Sequence, residues 1–123
     1  MNEKGKKYYK SGSLLLEVEY ENGIGKGKEY DYNGKLKFEG EYLYGQRNGK
    51  GKEYDDEGNI LFEGEYLNGQ RWNGKGKVYN YNDKLIFEGG YLNGKKHGNG
   101  KEFDDNGKLI FEGEYIKGKI KIF

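Results

Sequence analysis

The residues of this chain whose types could hold a metal ion or attack a substrate are few, and their spacing argues against most of that chemistry. Glu102, Asp104 and Asn106 set oxygen donors at alternate positions ahead of Gly107, which is how a calcium loop opens. Such a loop then needs a bidentate Glu at its twelfth position, and Gly113 stands there. In the related segment Val78, Asn80, Asn82 the first carboxylate is missing as well. Asp and Asn are also the ordinary residues of tight turns, so no metal and no cofactor is expected. His97, the only histidine, falls where related segments carry Asn48 and Asn73, a polar position more than a general base. Ser11 and Ser13 flank Gly12 with no histidine near in sequence, and the Gly49-Lys50-Gly51-Lys52 run lacks the spacing and the Ser/Thr of a phosphate loop. The chain is read as a non-enzyme.

Two sets of residues are stronger candidates for binding. Arg47, Arg71 and Lys96 occupy equivalent positions, joined by Lys95 and His97. Read as loop tips, they form a basic row along one long edge, each cation contributing about 1 kcal/mol beside an anionic membrane. The second set is an aromatic file: Phe38, Tyr42, Phe62, Tyr66, Phe87, Tyr91, Phe111 and Tyr115. A one-layer sheet cannot bury both faces, and an exposed apolar stripe marks a partner site.

What positions both sets is a repeat. Phe38-Glu39-Gly40-Glu41-Tyr42 returns at 62–66, as Phe-Glu-Gly-Gly-Tyr at 87–91, and at 111–115, in steps of 24, 25 and 24 residues. A period in that range marks an array of small units that must stack to bury their apolar faces. Leu16-Glu17-Val18-Glu19-Tyr20 is an earlier copy whose following connection is two residues shorter. The whole chain, 1–123, reads as one array: a partial repeat at 5–15, repeats at about 16–37, 38–61, 62–86 and 87–110, and a partial repeat at 111–123. The extra residue of the third repeat, Trp72, is placed in a loop between Gly69 and Gly74.

Aromatic–charged alternation through the repeated pentapeptide is the period-two signature of a strand, and 23 glycines disfavour long helices. Absence of proline suits a continuous ladder. Connections such as Asn33-Gly34, Glu57-Gly58 and Asn106-Gly107 are read as two-residue type I′ turns. With Glu57-Gly58 as such a loop, Asp56 pairs Asn59, Tyr54 faces Leu61, Lys52 faces Glu63, Gly51 faces Gly64 and Lys50 faces Glu65. Lys77 then faces Glu88, Lys101 faces Glu112, and Lys75 faces Gly90. A three-residue loop with a bulge would instead set Lys52 against Phe62. Opposite charges across strands add roughly 0.2–1 kcal/mol each, so the match selects register.

The spacing of residues 62–76 resembles the MORN repeat: an aromatic, a residue, Gly, a residue, Trp or Tyr, two residues, Gly, three residues, Gly, one residue, Gly. Residues 38–51 and 87–100 fit without insertion, while Val18, the short 23–27 connection, Gly90 and the loss of Gly-x-Gly after Gly118 depart from it. The resemblance implies an all-β, elongated single-layer antiparallel meander of stacked hairpins, about ten strands, and a scaffold or targeting role with protein and sometimes phospholipid contacts.

Balanced charge, 22 basic against 21 acidic residues, gives no general attraction to nucleic acid. With no cysteine the chain has no disulfide or thiolate site, and no apolar run reaches signal-peptide or membrane-span length. The function expected is a non-enzymatic interaction module holding a protein partner through its repeated surface, in the cytoplasm. The alternative is peripheral binding of anionic phospholipid through the basic row. Self-association through the terminal strand edges is a further expectation, with residues 120–123 forming a short capping strand whose Ile or Phe covers the last aromatic pair.

Overall fold

The computed structural model describes residues 2–122, with side chains placed from Lys4 to Ile122. Alternating large and charged residues with no proline give an unbroken ladder. Among the described residues, eleven strands follow one another through a single antiparallel sheet whose spatial order is the chain order. They are β1 (Asn2–Tyr8), β2 (Leu14–Glu21), β3 (Ile24–Tyr30), β4 (Leu36–Leu43), β5 (Gln46–Tyr54), β6 (Ile60–Leu67), β7 (Gln70–Tyr79), β8 (Leu85–Leu92), β9 (Lys95–Phe103), β10 (Leu109–Ile116) and β11 (Lys119–Ile120). No helix occurs among the described residues.

The expected charge register is present, but not the expected turns. Lys50 faces Glu65, Gly51 faces Gly64, Lys52 faces Glu63 and Lys77 faces Glu88. The loop between β5 and β6 nevertheless has three residues: Asp55 N donates to Asn59 O, and Tyr54 pairs Ile60 rather than Leu61. A bulge between that pair and Glu53–Phe62 absorbs the one-residue shift, so the two departures cancel. Asp55 Oδ1 accepts from the amides of Glu57 and Asn59, closing the turn on itself. Asp31, Asn80 and Asp104 do the same in their loops. The two-residue turns with positive φ at both centres lie at the opposite ends of the strands, at Asn22-Gly23, Tyr44-Gly45, Asn68-Gly69, Asn93-Gly94 and Lys117-Gly118.

Successive side chains leave a strand on opposite faces, and here the faces divide cleanly. One carries Phe38, Tyr42, Phe62, Tyr66, Phe87 and Tyr115, all at most 3% exposed. Their rings meet edge to face, with centroids 5.0 Å apart for Phe38–Tyr66 and 5.3 Å for Phe62–Tyr66, a geometry worth about 0.5–1.5 kcal/mol beyond burial alone. Glycines make the room. A side chain on Gly51 would meet the Phe38 ring at 2.7 Å. The other face carries the Lys and Glu ladder.

At the C-terminal end the short strand forms, with Tyr115 opposite Ile120 and Lys121 N donating to Glu114 O. Ile122 is 86% exposed; Phe123 lies outside the described residues.

Candidate functional site

The aromatic file is the core of the molecule, not an open stripe. Tyr91 and Phe111 are half-buried, and the other six members are buried. A one-layer sheet achieves this because its own long side chains make the second layer. Arg47 lays its guanidinium 4.1 Å from the centre of the Phe38 ring, Arg71 lies 4.9 Å from that of Phe62, and Lys96 Nζ lies 4.3 Å from that of Phe87.

These contacts correct the basic row. Arg47, Arg71 and Lys96 stand inside β5, β7 and β9, and their side chains are only 22%, 19% and 35% exposed. Lys95 and His97 belong to β9 as well. The reason is the turn exchange: tight two-residue turns end at Gly45, Gly69 and Gly94, so the residues read as loop tips already pair as strand. Trp72 likewise lies in β7, at a bulge, with its carbonyl accepting from Gly94 N at 2.9 Å.

Arg47 and Arg71 are each matched by an acid across the sheet. Arg47 Nε and Nη2 donate to Glu29 at 2.8 and 2.9 Å, and Tyr42 OH donates to the same carboxylate at 2.7 Å. Arg71 and Tyr66 hold Glu53 in the same way, and Arg47 Nη1 reaches Glu53 at 3.6 Å. Burial alone would raise the pKa of both carboxyls. Hydrogen bonds from Arg47 and Tyr42 to Glu29, and from Arg71 and Tyr66 to Glu53, outweigh it and hold both below the usual range. Their contribution to stability is therefore complete above the unfolded value of about 4.3 and is lost as pH falls through the folded values. Melting temperature measured from pH 7 down to pH 2 should drop most steeply below about pH 4. Glu53→Gln should flatten that drop, its deficit against the parent shrinking as the medium acidifies.

The remaining sequence candidates do not converge. Asp104 is occupied in closing its turn, while Glu102 faces the aromatic side and pairs Lys96 at 3.4 Å. No group of three or more metal-ligating side chains gathers among the described residues.

What does remain open is the charged face. From each of six strands it presents three residues: Lys4-Gly5-Lys6, Glu17-Val18-Glu19, Lys26-Gly27-Lys28, Glu39-Gly40-Glu41, Lys50-Gly51-Lys52 and Glu63-Gly64-Glu65. The central residue of every triplet directs its side, or its missing side chain, to the aromatic face. Two rows of charged side chains therefore bound a furrow of about 980 Å³ floored by backbone. Lys and Glu alternate from strand to strand along both walls, as in Lys52–Glu63 at 3.6 Å. Tyr54 OH donates to Glu39 at 2.6 Å and Tyr30 OH to Glu17 at 3.1 Å, steadying the walls from one side. The furrow stops at β7 because the hairpin of β6 and β7 is slipped by two residues. Gly64 pairs Gly74, where the sister hairpins pair Gly40 with Gly51 and Gly89 with Gly100. A shorter stretch resumes over Glu88, Asn99, Lys101 and Glu112. The Lys-Gly-Lys and Glu-Gly-Glu triplets are legible in the sequence, where they serve as evidence of register; that they also wall a furrow follows only once the sheet is laid out.

Comparison with known families decides what this array is. The model of the MORN repeat variant matches residues 4–22, 24–44 and 96–117, and that of the MORN repeat matches 38–60. The chain belongs to the MORN-repeat family. MORN repeats are in general interaction or membrane-associated modules and form a non-enzymatic class of repeat. No curated protein matches the chain.

Proposed function

We propose that this MORN array is a protein-interaction module and that its charged face, not its aromatic file, receives the partner. The observation that carries the reading is the furrow. It is the repeated surface left open when the aromatic face covers itself, and its dimensions select the occupant. Its walls are two residues apart along each strand, about 6.6–6.8 Å, and its six strands span about 24 Å. A helix, about 10–12 Å across with its side chains, is too wide. An extended polypeptide of about seven residues fits the length at roughly 3.3 Å per residue.

Charge narrows the partner further. Six Lys and six Glu line the furrow, so its net field is near zero and it gives an anionic membrane no preference. A segment carrying both signs, able to interleave with the alternating walls, gains at every strand. Selection from a displayed library of twelve-residue peptides tests this. Mixed-charge, extended sequences are expected, with affinity falling at least tenfold for Lys28→Glu combined with Lys52→Glu, while circular dichroism stays unchanged. Anionic vesicles are expected to bind neither protein at physiological salt. Selected peptides that bind as helices, or indifferently to the reversed walls, would overturn the reading.

A further inference from the structure

The aromatic face makes one arrangement in two successive units and loses its acid in the next. Glu29 and Glu53 each precede by 13 residues a tyrosine that donates to them, and by 18 an arginine that does the same. Thirteen residues before Tyr91 and eighteen before Lys96 stands Val78. The groups that would hold a carboxylate there are nevertheless all in place. Glu53 is approached by Arg47 along its own strand, by Tyr66 and by Arg71; the residues at the corresponding positions about Val78 are Arg71, Tyr91 and Lys96.

Arg71 keeps Glu53 through Nε and Nη2, and only its third nitrogen is left for other acceptors. Arg71 Nη1 donates to the Lys77 carbonyl at 3.1 Å and to Tyr91 OH at 3.3 Å. Lys96, with no acid on β7 to meet, keeps only the contact along its own strand, to Glu102 at 3.4 Å, the counterpart of Arg47 reaching Glu53 along β5 at 3.6 Å and long for a charge-assisted bond. Beside them a cleft of about 350 Å³ opens, walled by Val78, Ile86, Phe87, Lys96 and Ile110, with Glu102 and Asp105 also on its lining. Valine is too short to bring any group to where a glutamate carboxylate would sit; Lys96 lines the cleft beside its apolar wall, and Arg71 and Tyr91 meet each other at 3.3 Å on the same face.

We infer that this cleft is a binding site for a carboxylate carried on an apolar body. The carboxylate takes the position that Glu29 and Glu53 hold in the sister units, between Arg71, Tyr91 and Lys96, drawing Lys96 away from Glu102. The apolar body lies against Val78, Ile86 and Ile110. A small organic acid and the C-terminal carboxylate of a polypeptide ending in an aliphatic residue share this chemistry.

Titration of the full chain, followed through its backbone amide NMR signals at constant ionic strength, tests the site. The probes are benzoate, an acetylated tripeptide ending in Leu with a free carboxylate, and the same peptide as its C-terminal amide. Saturable shifts confined to residues 77–79, 91 and 96 are expected with a carboxylate probe and absent with the amide. Tighter binding of the peptide assigns the site to a polypeptide terminus, and tighter binding of benzoate to a small acid. Lys96→Met should weaken the bound probe at least about tenfold, the loss of one charged hydrogen bond. Val78→Glu supplies the carboxylate from within, so it should abolish binding and raise the melting temperature, against the usual effect of a charge placed on a half-buried apolar position. Shifts that are absent with both carboxylates, or that do not saturate, overturn the proposal. So does an affinity unchanged by Lys96→Met, which holds even if Val78→Glu fails to fold, or equal binding by a folded Val78→Glu chain.

Discussion

Gly64→Val is expected to leave the chain largely unfolded at 25 °C, while Glu63→Gln, one residue away, should be nearly silent. Gly64 sits on the aromatic face directly opposite Gly74. A side chain there would run into the carbonyl oxygen of Asn73 and come within 2.7 Å of the Gly74 Cα. Both obstacles are backbone, so no rotamer change relieves them. The strands would have to separate, and with them the Phe62 and Tyr66 rings that flank the site. Overpacking ordinarily costs about 1–3 kcal/mol where side chains can yield; where only backbone is available the cost exceeds about 4 kcal/mol, a large share of a small domain's stability. Glu63 is 58% exposed and its partner Lys52 is 3.6 Å away, a surface pair worth about 0–1 kcal/mol. Urea denaturation of the two variants checks the contrast. Equal midpoints would show that the glycine files do not set the strand approach.

The sequence carried the sheet because its signals are redundant. The pentapeptide recurs in phase, the Lys and Glu of neighbouring strands match in one register only, and glycine marks each place where a ring lies over backbone. The turns were less legible for a physical reason. Asn33-Gly34 and Asn68-Gly69 are the same dipeptide, yet only the second has positive φ at both residues. Asp31 Oδ1 accepts from the amides of Asn33 and Lys35 and draws the first into a three-residue loop, so the choice is made outside the dipeptide. Because a bulge then restored the register, the charge match could not reveal the difference. The placement of the basic row at loop tips was misread through the same exchange. Arg47 is next but one to Gly45 in sequence, but with the tight turn at Tyr44-Gly45 it is already opposite Tyr42 in the ladder.

That relocation reverses what charge reversal should do. Combined Arg47→Glu, Arg71→Glu and Lys96→Glu would be tolerated if these residues were loop tips, with the melting temperature almost unchanged. From their strand positions the triple variant is instead expected to be unfolded at neutral pH. Arg47→Glu alone places a third carboxylate beside Glu29 and Glu53, whose partner Arg47 now is at 2.8 and 3.6 Å. It also removes the plane that covers Phe38. Breaking a largely buried ion pair by removing one partner costs about 3–5 kcal/mol, and these pairs share members, so the losses do not simply add. The single change Arg47→Met separates the two parts of the effect. Methionine keeps apolar cover over Phe38 but leaves Glu29 with only Tyr42 as a donor, so a partial loss of stability is expected, and one that acid diminishes because a protonated Glu29 no longer needs the cation. Arg47→Lys should fall closer to the parent at pH 7, retaining the charge and losing the two-pronged hold on Glu29. Thermal melts of the three Arg47 variants at pH 7 and pH 3 order them. If Arg47→Glu melts with the parent at pH 7, the guanidinium neither covers the ring nor holds the acid, and the aromatic face needs another explanation for its burial.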